Sequence, residues 1–171
     1  MKFLIILDLN GVLVDRVRGP TDTTPDFMIG KTKCYVRPGA RKFLKWLHHH
    51  YDVAVWSSMM PHNTMQIVHE LWGKRMKDLK FIFTQNQCTE NGMMDEKPIF
   101  LKELRYVWEI MPWYDKFNTI LIDDSSYKSS NNPMYTSYHP TPYSHKTNQG
   151  MFEIRSYLER LLKCSQGASV V

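Results

Sequence analysis

The 171-residue chain has the length of one domain, and no stretch reaches the roughly 18 consecutive apolar residues of a membrane helix. We therefore expect one folded unit over residues 1–171 and no membrane association. Its three cysteines are far apart and form no C-x-x-C pair, which argues against a disulfide framework and a zinc site.

The formal charge of +5 is carried largely by Lys and Arg clusters in residues 31–45 and 74–80. An acidic peptide or a nucleic acid is an alternative partner for these basic helices. Solvated helix faces explain them better, because no nucleic-acid motif accompanies the charge. No targeting segment is visible, since the apolar start Phe3–Leu7 is interrupted by Asp8. We expect an intracellular protein, nuclear or cytoplasmic, or a domain of a longer chain.

Short apolar strands alternate along the chain with amphipathic helices, the pattern of parallel strands joined by helical crossovers. The predicted strands are Lys2–Leu7, Asp52–Ser57, Lys80–Phe83 and Asn118–Ile122. The predicted helices begin at Pro38, Pro61 and Pro98, and a fourth contains Ile154, Tyr157, Leu158 and Leu161. In the second helix, helical spacing predicts a buried face made of Met65, Val68, Leu71 and Trp72.

Two segments between these elements are polar. Residues 15–36 predict a flap or hairpin inserted after the first strand, and Thr84–Glu96 predicts a loop with a tight turn at Asn91-Gly92. The predicted fold is α/β, a Rossmann-like open parallel sheet with helices on both faces, a small flap and no large cap domain.

Three predicted strands end in reactive polar groups: Asp8 after the first, Ser57 after the second, and the pair Asp123 and Asp124 after the fourth. In an open parallel sheet these ends meet where the strand order reverses, which is where ligands bind. Clustered carboxylates repel each other unless a cation lies between them, and oxygen ligands suit Mg²⁺. Asp and Ser are also common in caps and turns, but the coincidence of three strand ends favours a site.

Four segments resemble, in order, the motifs of the haloacid dehalogenase superfamily: Asp8–Leu13, Trp56–Ser58, Leu101–Leu104 and Leu121–Ser125. The segment Tyr35–Ala40 is similar to the branch of small phosphatases that act on the RNA polymerase II C-terminal domain, the NLI-interacting-factor-like group. The resemblance covers about residues 1–162. It implies a Mg²⁺-dependent phosphatase acting on phosphoserine or phosphothreonine in a protein or peptide.

The resemblance also implies a role for each matching residue. Asp8 would attack phosphorus and form an aspartyl-phosphate. The metal ligands would be Asp8, Asp123, Asp124 and the main-chain carbonyl of Asn10. Ser57 would donate a hydrogen bond to the phosphoryl group, and Lys102 on a helix would pair with its charge, with Lys97 as the alternative lysine.

Asn10 departs from the family pattern, which has an acid there, and Val12 departs from its usual Thr. The acid protonates the leaving alkoxide, and such general acid help is worth roughly 10² to 10⁴ in rate, which an amide cannot supply. Three explanations remain open: a slow or altered phosphatase, a pseudophosphatase that binds phosphorylated partners, and an engineered replacement of Asp by Asn.

Overall fold

The computed structural model describes residues 2–167. The strands are β1 (Leu4–Leu7), β2 (Val14–Val17), β3 (Phe27–Ile29), β4 (Thr32–Val36), β5 (Asp52–Trp56), β6 (Ile82–Phe83), β7 (Thr89–Met94), β8 (Lys97–Leu101), β9 (Thr119–Ile122) and β10 (Ser137–Tyr138). The α-helices are α1 (Ala40–His50), α2 (Pro61–Trp72), α3 (Leu104–Ile110) and α4 (Phe152–Gly167). No helix within the described residues is both long and apolar enough to cross a membrane.

A five-stranded parallel sheet with the order β10-β9-β1-β5-β6 forms the centre of the fold. From β1 the chain builds the sheet outwards through β5 and β6, and later adds β9 and β10 on the other side. The order therefore reverses beside β1. Leu7 at the end of β1 is in register with Val55 of β5 and Ile122 of β9, so the residues that follow these strands emerge at one edge.

Helices cover both faces of this sheet, as predicted. Ile5 and Leu7 of β1 belong to the larger core, which also includes residues of α1, α2 and α4. Leu4 and Ile6 belong to a second core on the opposite face, closed by Leu104 and Val107 of α3. Because alternate side chains point to opposite faces, a strand covered on both sides must be apolar throughout. This explains the continuous run Leu4–Leu7.

The flap predicted over residues 15–36 is a three-stranded antiparallel sheet with the order β2-β4-β3. It starts directly after the loop that follows β1. The backbone N–H of Arg37, just after β4, donates to the carbonyl of Leu13 at 2.8 Å. The flap therefore leaves and rejoins the body of the protein beside the end of β1.

The predictions for residues 84–103 were wrong. Instead of a loop and a helix starting at Pro98, the chain forms the antiparallel hairpin β7–β8, and α3 begins only at Leu104. The reversal lies at Asp95-Glu96, both with positive φ, while the predicted turn residue Gly92 lies at an irregularity in β7. Pro98 is tolerated because an isolated hairpin consists of edge strands, where a missing N–H costs little.

The buried face of α2 also differs in part from the prediction. Val68, Leu71 and Trp72 are buried, but Met65 is 39% exposed. The buried face is completed by Thr64 and Ile67. The spacing of residues 64, 67, 68 and 71 is that of a single helical stripe, and Met65 falls at its margin.

Candidate active site

Three carboxylates converge at the carboxyl edge of the central sheet. Asp8 follows β1, and Asp123 and Asp124 follow the neighbouring strand β9. One oxygen of each lies within 4.8 Å of the others. Asp8 and Asp123 are buried, whereas Asp124 is partly exposed. This is the point where the strand order reverses, the usual ligand position in such sheets.

Lys102 bridges two of these carboxylates. Its Nζ lies 3.0 Å from Asp8 Oδ1 and 2.6 Å from Asp123 Oδ2, and its side chain is fully buried. Lys102 precedes α3 rather than lying on it, which corrects the helical position expected from the sequence. Its backbone N–H donates to the carbonyl of Lys128 at 2.7 Å, and Asn132 Nδ2 donates to its carbonyl at 2.8 Å. These bonds fix the lysine at both backbone groups.

The cluster perturbs the protonation of all three acids. Burial, with the charges of Asp8 and Asp123, raises the pKa of Asp124 to about 7. Burial and the neighbouring Asp123 also raise the pKa of Asp8, against the opposing effect of Lys102. Burial acts to raise the pKa of Asp123 as well, but Lys102 and Lys128 outweigh it and hold that pKa below its usual value. A divalent cation would relieve this repulsion, and an all-oxygen donor set fits Mg²⁺.

Gly11 forms one wall of the cluster. It has φ +84°, and a Cβ added there would lie 2.3 Å from Asp124 Oδ2. Its carbonyl accepts a hydrogen bond from the backbone N–H of Tyr143 at 2.9 Å. The loop after β1 can therefore approach the third carboxylate only with glycine at this position.

Arg37 ties the same loop to the rest of the body. Its guanidinium is buried, with Nη1 donating to the carbonyl of Val12 at 3.1 Å and Nε to the carbonyl of Gly150 at 2.9 Å. The ring of Tyr143 lies 5.6 Å below it. This cation makes its hydrogen bonds to main-chain oxygens, so it orders the backbone beside Asp8.

The other residues singled out in the sequence lie outside the carboxylate contacts. Ser57 is buried at the end of β5 beside β1, and its Oγ accepts a hydrogen bond from the backbone N–H of Met59 at 3.1 Å. Asn10 is exposed, and its Oδ1 accepts from the backbone N–H of Arg16 at 3.0 Å. Lys97 is exposed at the start of β8 and forms no ion pair within residues 2–167. The structure thus brings Lys102, and not Lys97, into the cluster.

Two neighbours of the cluster were missed in the sequence. Lys128 Nζ donates to Ser58 Oγ at 3.1 Å, and its charge acts to lower the pKa of all three acids. The Nδ1 of His139 donates to the carbonyl of Asp123 at 2.7 Å. The only signal for Lys128 was its closeness in sequence to Asp124, because no helix spans residues 124–128. For His139 no local pattern existed, because its contact depends on the pairing of β10 with β9.

Some of the basic residues from segments 31–45 and 74–80 line a cavity of about 930 Å³ at the opposite edge of the sheet. Its cationic lining residues are Lys2, Lys42, Lys45, Arg75, Lys77 and Lys80. Asp8, Asp123 and Asp124 do not border this cavity, whereas Asp52 and Asp78 do. Trp46, which does, has the guanidinium of Arg155 4.6 Å above its ring. The guanidinium therefore covers this face of the Trp46 ring, which is not free to stack on a nucleic-acid base.

Comparison with curated proteins finds relatives that align with about three quarters of the chain. An uncharacterized FCP1 homology domain-containing protein of Schizosaccharomyces pombe is 29% identical over 140 residues, which is 76% of this chain and 57% of that protein. The ubiquitin-like domain-containing CTD phosphatase 1 of Drosophila melanogaster is 28% identical over 134 residues, 72% of this chain and 36% of that protein. The chain thus spans only part of the length of either relative.

Solved structures share the fold. The RNA polymerase II CTD phosphatase Fcp1 of fission yeast, in a variant bound to beryllium fluoride, aligns with a TM-score of 0.61 at 15% identity, covering 98% of this chain and 55% of that one. A second structure, of Fcp1 as an essential RNA polymerase II CTD phosphatase, has a TM-score of 0.57 at 17% identity and covers 98% and 53%. The family model for the NLI interacting factor-like phosphatase matches residues 3–168. The chain therefore belongs to the NLI interacting factor-like phosphatase family.

Proposed function

We propose that the chain is a Mg²⁺-dependent phosphatase that works through an aspartyl-phosphate and acts on phosphoserine or phosphothreonine in a protein segment. The observation that carries the proposal is the position of Asp8. Its carboxylate lies where the strand order of the sheet reverses, 3.0 Å from Nζ of the buried Lys102. One of its oxygens lies within 4.8 Å of an oxygen of Asp123 and of Asp124, close enough for the three to share one metal ion. A nucleophile, a cation and two further oxygen ligands at one strand edge match the needs of phosphoryl transfer.

In the proposed reaction an Asp8 oxygen attacks phosphorus, and the bond from phosphorus to the serine or threonine oxygen breaks. Water then attacks phosphorus, releases inorganic phosphate and restores Asp8. Lys102 would orient Asp8 and favour its ionised form, while the Ser57 hydroxyl would donate to a phosphoryl oxygen. Mg²⁺, held by Asp8, Asp123, Asp124 and the carbonyl of Asn10, would neutralise charge on the transferring group.

The first step leaves an alkoxide that must take a proton from a solvent water molecule, and the water that attacks in the second step gives a proton back to solvent. The Asn10 side chain lacks an acidic proton, and its Oδ1 already accepts the N–H of Arg16. The proposed enzyme should therefore be slow on alkyl phosphates, whose leaving groups are strongly basic, and faster on aryl phosphates, whose leaving groups depart without a proton.

Asn10 also favours a second candidate, a pseudophosphatase in which the same site binds a phosphorylated protein without turnover. Both candidates take a phosphorylated partner. The name of the Drosophila relative describes it as a CTD phosphatase. We propose a phosphorylated protein segment as the ligand of this chain too, and a nuclear or cytoplasmic location consistent with it.

A side-by-side assay of the unaltered chain and Asn10→Asp separates these candidates. We expect Mg²⁺-dependent hydrolysis of an aryl phosphate by both, and a gain of roughly 10² to 10⁴ on a phosphoserine peptide for Asn10→Asp alone. Asp8→Asn should abolish turnover in both backgrounds. If neither protein hydrolyses either substrate with Mg²⁺ but both bind the phosphopeptide, the receptor function replaces the phosphatase function.

A further inference from the structure

Lys128 is a partly buried cation beside the carboxylate cluster without an anionic partner of its own. Its side chain makes a single hydrogen bond within residues 2–167, to the neutral hydroxyl of Ser58 at 3.1 Å, and it takes part in none of the ion pairs found there. An ammonium group has three N–H donors. Lys128 therefore retains N–H donors for a ligand, while its charge also acts on the three carboxylates.

Arg16 is a second cation in the same condition. It lies on β2 of the flap opposite Cys34, and its Nη1 donates to the sulfur of Met59 at 2.8 Å. A thioether sulfur is a weak acceptor. The Nε of Arg16 is buried without a hydrogen-bond partner in the described part of the chain. Burial lowers its pKa, which reflects the cost of holding this charge without an anion.

Both cations donate hydrogen bonds to side chains of consecutive residues in one short segment. Lys128 contacts Ser58, and Arg16 contacts Met59, the next residue. This stretch directly follows β5 and begins with the buried Ser57. Ser58 is partly exposed and directly follows Ser57, the residue proposed to donate to the transferred phosphoryl group.

We propose that Arg16, Ser58 and Lys128 form an anion subsite that binds a second negatively charged group of the substrate, next to the phosphoryl group attacked by Asp8. The inference rests on the phosphatase function proposed above. A guanidinium can bind phosphate or carboxylate oxygens with two parallel hydrogen bonds, and an ammonium adds a point charge. Since an extended peptide advances about 3.5 Å per residue, the second group belongs to a residue close in sequence to the target phosphoserine. The preferred substrate is a segment with two neighbouring anionic residues.

The test compares matched phosphoserine peptides that carry no second charge, a second phosphoserine, or a glutamate at positions one to three residues away. The readout is the ratio of kcat/KM between doubly and singly charged peptides. Lys128→Met and Arg16→Met should each lower this ratio about tenfold, the effect of one charge-assisted hydrogen bond, mainly through KM. Because both peptides use the same carboxylate cluster, any effect of the substitutions on that cluster cancels in the ratio.

Lys116→Met and Lys163→Met are the matched controls, since each removes one exposed positive charge outside the flap and the segment after β5. The subsite proposal is overturned if the ratio of kcat/KM between doubly and singly charged peptides is unchanged in both test variants. It is also overturned if the control variants lower this ratio equally. The glutamate and phosphoserine arms identify whether a carboxylate is sufficient. If the chain shows no turnover, the phosphatase proposal fails, but the subsite is still tested by the same ratio of peptide affinities from fluorescence anisotropy. Near-ultraviolet circular dichroism checks that Arg16→Met is folded, and Lys128→Met stands as an independent test.

Discussion

The backbone of Gly11 lies directly against the carboxylate of Asp124, so closely that a Cβ at Gly11 would be 2.3 Å from Oδ2. Gly11→Ala should therefore displace Asp124 from the cluster and weaken Mg²⁺ binding at least tenfold. Its positive φ adds a backbone penalty of about 1–2 kcal/mol in the free energy of unfolding. Isothermal titration with Mg²⁺ and urea unfolding without it measure the two effects separately.

Gly30→Ala is the control for backbone strain. Gly30 also has a positive φ, +56°, but nothing lies within 4 Å of a Cβ added there. Gly30→Ala should lower the free energy of unfolding by about the same backbone penalty as Gly11→Ala. It should bind Mg²⁺ with the affinity of the unaltered chain. Equal Mg²⁺ affinity in Gly11→Ala and Gly30→Ala would mean that contact with Asp124 is not needed for the metal.

The two lysines considered from the sequence should behave very differently on removal. Lys102→Met leaves the buried carboxylates of Asp8 and Asp123 without their counter-ion, a change that typically costs about 3–5 kcal/mol. Lys97 is exposed, so Lys97→Met should change the free energy of unfolding by less than about 0.5 kcal/mol. Urea denaturation at neutral pH measures both. Similar values for the two variants would contradict the buried ion pairs.

The elements that the sequence predicted well are those whose burial is complete. β1, β5 and β9 are central strands with continuous apolar runs, and their order along the chain implies the shared edge where Asp8 and Asp123 meet. The hairpin β7–β8 is largely exposed, so its composition carries no periodic pattern, and Pro98 resembled a helix start. The two-residue strand β10 is defined only by its pairing with β9, which no local sequence pattern predicts.

The candidate site also has features that the sequence predicted and features that it did not. Strand ends and parallel topology were sufficient to predict that the three carboxylates converge. They did not predict which groups surround them, because those contacts join distant loops. Lys102 is oriented by Lys128 and Asn132, which are more than 20 residues away. Within residues 2–167 neither Lys128 nor Arg16 forms an ion pair, and this depends on side-chain geometry, which no spacing rule contains.

Mg²⁺ binding should strengthen with pH up to about 7 and then level off. The pKa of Asp124 is raised to about 7, so below that value Mg²⁺ must displace its proton. If one proton leaves per ion, the apparent affinity falls by about tenfold for each pH unit below this pKa. Titration calorimetry in two buffers of different ionisation enthalpy counts the released protons. Asp124→Asn should release fewer protons per ion than the unaltered chain.

The raised pKa of Asp124 should make the metal-free protein less stable as the pH rises, whereas Mg²⁺ binding should strengthen. The folded-state pKa of Asp124 lies above the unfolded value of 3.8, so between about pH 4 and 7 the folded state binds more protons. The contribution of Asp124 to stability is therefore present at low pH and is lost as the pH rises through about 7. Comparing urea unfolding of the unaltered chain and Asp124→Asn at pH 5 and pH 8 isolates it. A larger advantage of the unaltered chain at pH 8 would contradict the raised pKa.

Arg37 should act on the site through the backbone of the loop after β1. Arg37→Lys keeps the charge, but an ammonium cannot span the carbonyls of Val12 and Gly150 as the guanidinium does. We expect a loss of about 2 kcal/mol in the free energy of unfolding, the size of one hydrogen bond from a charged group. Amide hydrogen exchange in residues 9–13 should accelerate, and Mg²⁺ affinity should fall because Asp8 and Gly11 belong to that loop.

Arg41→Met is the control, because it removes an exposed arginine nearby and should change neither stability, exchange nor Mg²⁺ affinity. If Arg37→Lys lowers stability while exchange in residues 9–13 stays at the level of the unaltered chain, the loop is held by other contacts, and Arg37 serves only to hold the segment at Gly150 that precedes α4.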